Sequence, residues 1–124
     1  TAPDCKPDPE FMTRAKRNSE STITWTEDPK EAVAGADVIY TDVWASMGQK
    51  HLAEEKERKL KPFQVNSSLL KGADPKAIVL HCLPAERGKE ITDEVMDGPQ
   101  SAVFDQAENR LHIQKAIMHF LLTH

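Results

Sequence analysis

The chain has 124 residues, of which 39% are hydrophobic and 29% charged, and its formal net charge is -4. This size fits one domain or part of one, and the mixed charges exclude the basic stripe of a nucleic-acid-binding protein and the polybasic anchor of a membrane-surface protein. No apolar run approaches the ~20 residues that span a bilayer, and no signal-peptide pattern opens the chain, so we expect a cytoplasmic protein. Cys5 and Cys82 lack the spacing of a zinc site, which argues against a metal, while a disulfide between them stays open.

The first part of the chain predicts helices that alternate with strands. Residues 1–9 indicate a loop. An Asp-Pro pair, in which Asp caps a helix and Pro occupies its first turn, occurs twice. It predicts one helix opened by Asp8 and Pro9 that runs to about Asn18, and a second that runs from Pro29 and stops at Gly35. Alternation predicts a short peripheral strand over residues 22–26, and an apolar run predicts a buried parallel strand over residues 36–43.

The second part continues the alternation. Charges spaced at i,i+4 predict a solvent-facing helix over residues 51–60, and Asn66 is a predicted cap for a short helix closed by Gly72. Four apolar residues predict a buried strand that stops at Pro84, because proline cannot donate to a ladder. The remaining predicted elements are, in order, an exposed loop over residues 85–90, one helical turn capped by Thr92, a short strand over residues 102–104, and a final helix capped by Asp105 with Glu108.

The order of these elements predicts the fold class. Strands that alternate with helices over the whole length are typical of an α/β fold with a parallel sheet flanked by helices. The final helix is predicted to be amphipathic, with an apolar stripe formed by Ile113, Ala116, Ile117, Phe120 and Leu121.

Polar side chains follow the predicted buried strands. In open parallel sheets, ligands bind beyond the carboxyl ends of the strands. Three groups are therefore expected at one edge: Asp42 with the loop that contains Ser46 and Met47, His81 with Cys82, and Arg110 near the start of the last helix.

Each of these residues has an ordinary interpretation and a functional one. Cys82 is either a buried apolar thiol or a functional one, and Asp42 either caps a turn or holds an ammonium group. Arg110 is either solvated or faces an anion, and Met47 either packs on the core or belongs to a mobile flap. Their expected convergence favours the functional interpretation.

Three runs of sequence carry a resemblance to a known family. They are residues 36–44 with Ser46-Met47-Gly48-Gln49, His81-Cys82-Leu83-Pro84 with Glu90, and residues 104–112. Over essentially the whole chain, they resemble the ornithine-binding, carboxyl-terminal half of the aspartate/ornithine carbamoyltransferase family. The Ser-Met-Gly and His-Cys-Leu-Pro runs resemble the ornithine branch, since the aspartate branch typically has His-Pro-Leu-Pro.

The resemblance implies a reaction and a set of site residues. The reaction transfers the carbamoyl group of carbamoyl phosphate to the δ-amine of L-ornithine, without a metal or an organic cofactor. His81 would have a positioning role. The resemblance implies that Asp42 contacts the α-ammonium of ornithine, and that Ser46 and Met47 belong to a loop that closes over the amino acid. It implies that Cys82 contacts the δ-amine and accepts its proton, and that Leu83 and Arg110 bind carbamoyl phosphate. Cys82 and Arg110 are the implied catalytic residues.

The sequence also departs from the family. It lacks the Ser-Thr-Arg-Thr phosphate-binding run and the Asp-Gly-Asn-Asn strand end. We therefore expect residues 1–124 to be an incomplete, Rossmann-like ornithine-binding domain without the carbamoyl phosphate-binding domain, inactive alone and derived from a trimeric parent enzyme.

Two alternatives stay open at this point. One is a carbamoyltransferase for another amine, such as putrescine or an acylated ornithine. Asp42 argues against putrescine, which has no α-ammonium. The other is a noncatalytic amino-acid-binding module, against which Cys82 and Arg110 argue because ornithine capture needs neither.

Overall fold

Helices surround a two-stranded parallel sheet in the computed structural model, which describes residues 1–45 and 53–124. Short 3-10 turns lie at Pro3–Cys5 and Lys61–Phe63. The other elements are, in order, α1 (Pro9–Asn18), α2 (Pro29–Val33), β1 (Val38–Thr41), α3 (Ala53–Leu60), α4 (Ser67–Leu70), β2 (Ile78–His81), α5 (Asp93–Met96) and α6 (Val103–Thr123).

Three predicted helix caps are confirmed by their hydrogen bonds. Asp8 Oδ1 accepts from the backbone N–H groups of Glu10 and Phe11 at 2.9 and 3.1 Å. The side chains of Asp28 and Asn66 accept in the same way from the first turns of α2 and α4. Each bond pairs a backbone donor that the helix itself leaves unpaired, which explains why local sequence located these helix starts.

The register of the sheet places the candidate site. β1 and β2 are parallel, with Val38 beside Ile78 and Thr41 beside His81. Both strands therefore end at the same level, and the next residues, Asp42 and Cys82, emerge side by side from one edge.

The core forms where β2 meets the segments that follow it. Val79, Ile91 and Val103 have no exposed surface. Two backbone hydrogen bonds join Val79 to the segment before α6. The Val79 N–H donates to the carbonyl of Gln100, and the Ala102 N–H donates to the carbonyl of Val79. The core thus anchors the end of β2 and the start of α6 to each other.

A core substitution tests this arrangement. Ile91→Ala is expected to lower the free energy of unfolding by about 2–5 kcal/mol, because it removes apolar contacts and leaves a cavity. Ile78→Ala is the matched control, since Ile78 is 41% exposed on β2. Urea denaturation measures both, and equal losses would contradict the assigned core.

The predicted strand over residues 22–26 is wrong. These residues are outside any strand, and the described sheet contains only β1 and β2. A strand requires a neighbour that completes its ladder of hydrogen bonds, and within the described ranges this segment has none. Its alternating pattern could not reveal that.

The predicted strand over residues 102–104 is also wrong, because α6 begins at Val103. Gln106 N–H donates to the carbonyl of Ala102, which is thereby committed to the first turn of the helix. The preceding residue, Ser101, forms an isolated bridge to Val79 of β2. Asp105 therefore lies inside the first turn and is not the cap.

The apolar stripe predicted on α6 lies mostly in solvent in the described part of the chain. Ile113, Ile117, Phe120 and Leu121 are 51–71% exposed, and Val103 is the buried residue of this helix. The sequence has the amphipathic pattern, but no described residue packs over these apolar side chains closely enough to bury them. Across those same residues, no helix has the combined length and apolarity needed to cross a membrane.

Candidate functional site

Asp42 and Cys82 form the centre of the candidate site. The Cys82 thiol donates to Asp42 Oδ1 at 3.1 Å, and the backbone N–H of Val43 donates to the same oxygen at 2.7 Å. No donor to the other oxygen, Oδ2, is recorded within residues 1–45 and 53–124. Asp42 is exposed, so one carboxylate oxygen is occupied and the other faces an accessible position.

The environment of Cys82 favours its protonated form. The pKa of the Cys82 thiol is raised above its ordinary value, first by the hydrogen bond to Asp42, then by burial and then by the negative charge of Asp42. The Tyr40 hydroxyl acts in the opposite direction and more weakly. The thiol is therefore a hydrogen-bond donor at neutral pH, and not a standing thiolate.

His81 lies beneath this pair and has no exposed surface. Its Nδ1 accepts from the backbone N–H of Leu83 at 2.9 Å, and its Nε2 lies 3.0 Å from Glu90 Oε1. An N–H donor requires an unprotonated acceptor, so the ring proton resides on Nε2 and is donated to Glu90. Both ring nitrogens are thereby engaged.

The loop that follows β2 differs from its prediction as a wholly exposed segment. Glu90 is fully buried, and its Oε1 also accepts the backbone N–H of Glu86 at 2.6 Å. Arg87 is exposed but is held by Asp93 and by two bonds to Asp97, at 2.7–2.8 Å. The loop is therefore held on its buried side by Glu90 and on its exposed side by Arg87.

Three potential metal ligands lie close together at this edge. One ligand atom each from Asp42, His81 and Cys82 falls within 4.8 Å of the others. However, Leu83 and Glu90 already occupy the two nitrogens of His81. A metal ion would have to displace one of these partners, so the arrangement argues against a preformed metal centre. Cys82 and Cys5 are both free thiols, and the disulfide left open by the sequence is not formed.

Comparison with known proteins identifies the family. The family description "Aspartate/ornithine carbamoyltransferase, Asp/Orn binding domain" matches residues 1–121. The chain belongs to the aspartate/ornithine carbamoyltransferase family. The resemblance stated from the sequence is confirmed.

Individual relatives cover the chain almost completely. An ornithine carbamoyltransferase from Mycolicibacterium smegmatis is 57% identical over 98% of this chain, which corresponds to 41% of that protein. The structure of an ornithine carbamoyltransferase from Pyrococcus furiosus matches 91% of the chain with a TM-score of 0.81 at 51% identity, covering 37% of its own length. The structure of an N-acetyl-L-ornithine transcarbamylase matches with a TM-score of 0.77 at 35% identity over 94% of this chain and 36% of its own length.

These matches confirm the predicted α/β, Rossmann-like fold with a parallel sheet flanked by helices. The chain spans about 41% of the length of the first of these relatives.

Not all of the site residues predicted from the sequence come together. Leu83, which follows Cys82 directly in sequence, is half-buried. Ser46 and Met47 lie outside the described residues. Arg110 was placed in a first turn, which is wrong, because α6 begins seven residues earlier at Val103. Arg110 is exposed, and no hydrogen bond or ion pair to it is recorded in the described part of the chain.

Sequence reasoning missed two groups that support the site. Glu90 was assigned to an exposed loop, and the only local hint of its burial is its position directly before the apolar Ile91. Gln106 on α6 donates through Nε2 to the Tyr40 hydroxyl at 3.0 Å. This bond ties α6 to β1 beside Cys82, and no sequence spacing indicated it.

Proposed function

We propose that this chain is the ornithine-binding part of an ornithine carbamoyltransferase, and that residues 1–124 act with a carbamoyl phosphate-binding domain they do not contain. The observation that carries the proposal is the pair of Asp42 and Cys82 at adjacent strand ends, joined at 3.1 Å with Asp42 Oδ2 open. The names of its close relatives support the same activity.

Asp42 is proposed to bind the α-ammonium of L-ornithine. Its open oxygen and its exposure suit a charge-assisted hydrogen bond with a cation. That contact would also draw the carboxylate away from the Cys82 thiol, and it would thereby weaken the interaction that raises the pKa of the thiol. Ser46 and Met47 are proposed to close over the amino acid and exclude water.

Cys82 is proposed to contact the δ-amine, which must lose its proton before it attacks. A thiol with a raised pKa is a poor proton acceptor, so the accepting role depends on the change at Asp42 that substrate binding brings. Binding of ornithine would therefore allow the thiol to release its proton to solvent, and the resulting thiolate would accept the proton that the δ-ammonium loses before the neutral amine attacks.

Leu83 and Arg110 are proposed to hold the carbamoyl donor. The amine attacks the carbonyl carbon of carbamoyl phosphate, a tetrahedral intermediate forms, and its C–O bond to phosphate breaks to release citrulline and phosphate. The guanidinium of Arg110 would stabilise the negative charge that develops on the carbonyl oxygen. No metal or organic cofactor is required by this scheme.

One alternative substrate has support from a neighbour. The similarity to an N-acetyl-L-ornithine transcarbamylase makes an Nα-acylated ornithine the alternative substrate. An acylated α-nitrogen carries no positive charge, and it would leave Asp42 Oδ2 unpaired. Ornithine itself is therefore the better match to this site.

The proposal extends to the surroundings of the chain. We propose that the parent enzyme is a homotrimer or a multiple of trimers, located in the cytoplasm, with L-ornithine and carbamoyl phosphate as its partners. Arg110 has no recorded partner among the described residues. This supports the proposal that it acts on a ligand held by another domain.

A chimera tests the proposed function. We expect citrulline to form when this chain replaces the matching segment of the Mycolicibacterium smegmatis relative, which is 41% of that protein. The chain alone is expected to be inactive, because it contributes only part of the site. Two assays are run with carbamoyl phosphate. With ornithine as the amine, citrulline is measured. With Nα-acetylornithine as the amine, its carbamoylated product is measured.

The controls separate the remaining outcomes. The unmodified relative establishes the rate that a complete enzyme reaches. Product from Nα-acetylornithine alone would favour the alternative substrate. An assembled chimera that forms no product with either amine would contradict an enzymatic role and favour a binding module.

A further inference from the structure

We propose that His81 is a positioning residue that fixes the backbone of Leu83 for its contact with the carbamoyl donor, and that Glu90 acts through His81 by holding its imidazole ring. The inference rests on the proposed function, and it concerns two buried groups that the proposed reaction steps do not use. The sequence predicts a positioning role for His81, and the inference here names the group that it positions and the residue that holds it.

The hydrogen bonds form one connected series. Glu90 Oε1 accepts from His81 Nε2 at 3.0 Å and from Glu86 N–H at 2.6 Å, and His81 Nδ1 accepts from Leu83 N–H at 2.9 Å. His81 and Glu90 have no exposed surface. With water excluded, Glu90 selects the tautomer that leaves Nδ1 free to accept, and this orients the Leu83 amide.

Leu83 needs such support because its backbone is unfavourable. Its φ of 54° lies in the left-handed region, which costs a non-glycine residue about 1 kcal/mol or more. The bond to His81 compensates by pairing the N–H in that conformation. The N–H is thereby occupied, while no donor to the Leu83 carbonyl is recorded in residues 1–45 and 53–124. The carbonyl is the backbone group left for a ligand.

The geometry explains why the pair would affect turnover more than ornithine binding. Asp42, which is proposed to bind the α-ammonium, makes no recorded hydrogen bond to His81 or Glu90. A shift of Leu83 would move the carbamoyl donor relative to Cys82 and leave the ammonium contact unchanged. Misplacement of reacting groups by about 1 Å can cost roughly a hundredfold in rate.

Two histidine substitutions separate the two ring nitrogens. In His81→Asn, the side-chain oxygen occupies the place of Nδ1 and can still accept from Leu83. In His81→Gln, the amide reaches the place of Nε2 and retains the contact with Glu90 but not that with Leu83. The two variants are similar in polarity, and each keeps one of the two hydrogen bonds.

The kinetic test uses the active chimera. His81→Gln is expected to lower kcat about tenfold to a hundredfold and to raise the KM for carbamoyl phosphate, with the KM for ornithine unchanged. His81→Asn is expected to retain kcat within about threefold. Equal losses in both variants, or a loss confined to ornithine KM, would overturn the proposal.

Glu90→Gln is a third variant, and it tests the acceptor role of Glu90 without removing the buried side chain. Its amide oxygen can still accept from both His81 and Glu86, so kcat is expected to stay within about threefold of the parent chimera. A loss as large as that of His81→Gln would overturn a role based on hydrogen-bond acceptance.

Amide exchange distinguishes failure of this proposal from failure of the proposed function. Hydrogen exchange of Leu83 N–H, followed by NMR in the 124-residue chain, is expected to be slow in the parent and in His81→Asn, and fast in His81→Gln. Equally fast exchange in all three would refute the positioning role. Slow exchange beside an inactive chimera would instead refute the enzymatic assignment.

Discussion

Asp42→Asn is expected to make Cys82 react faster with iodoacetamide at neutral pH. The pKa of the thiol is raised chiefly by its hydrogen bond to Asp42 and also by the charge of Asp42. The neutral amide removes the charge and offers a weaker acceptor, so the pKa should fall towards its ordinary value. Below that pKa, a lower value means a larger thiolate fraction, and the thiolate is the species that is alkylated.

The same substitution is expected to damage turnover in the chimera. Loss of the charge that pairs with the α-ammonium should lower kcat/KM for ornithine about a hundredfold, in the range measured when one partner of a close charge pair is removed. A more reactive thiol and a slower enzyme would then occur in one variant. That combination shows that Asp42 controls both the thiol and the substrate.

The alkylation experiment requires a background without the second thiol. Cys5 is exposed and free, so Cys5→Ser is introduced in every sample, and the rate is followed against pH by mass spectrometry. Asp37→Asn, just before β1, is the matched control for loss of one carboxylate and should leave the rate unchanged. An unaltered or slower alkylation in Asp42→Asn would contradict the assigned cause of the raised pKa.

The parts of the fold that local chemistry controls could be predicted from the sequence. Asp8, Asp28 and Asn66 each act on backbone donors two or three residues away, and all three helix starts were located. The two strands were recognisable from consecutive apolar residues, but their predicted burial on both faces is wrong, because Val38, Tyr40 and Ile78 are 41–57% exposed. Because parallel strands end at one edge, the meeting of Asp42 with Cys82 followed from the strands alone.

The parts that depend on distant partners could not be predicted in this way. Residues 22–26 have a strand pattern but no adjacent strand in the described ranges, and the Ala102 carbonyl is taken by α6 rather than by a ladder. Glu90 looks like any loop acid until the fold brings it against His81. Burial of a charged group is a property of packing, and no periodicity encodes it.

The position of Arg110 combines both situations. Its sequence context suggested a ligand contact, while its depth in α6 was misjudged because the helix start was misplaced. Gln106, one turn earlier on the same helix, bonds to Tyr40 on β1. This contact fixes the amino-terminal turns of α6 to the sheet, and so it places Arg110 on a helix that is anchored to the candidate site.

Arg110→Ala is expected to lower kcat in the chimera by about 10²–10³-fold, the range measured when one donor to a developing oxyanion is removed. Arg110 is exposed, and no partner for it is recorded in the described residues, so the melting temperature should not change. Loss of activity without loss of stability is the pattern expected of a group that acts on the substrate.

Two further variants show whether the guanidinium itself matters. Arg110→Lys retains the charge but not the forked pair of donors, so its kcat should lie between those of the parent and Arg110→Ala. Arg17→Ala, on the exposed α1, removes an arginine away from the site and should leave kcat unchanged. If Arg110→Ala kept kcat within about threefold of the parent, the donor-binding role would be untenable. Removing a group that stabilises the developing oxyanion lowers kcat far more than that.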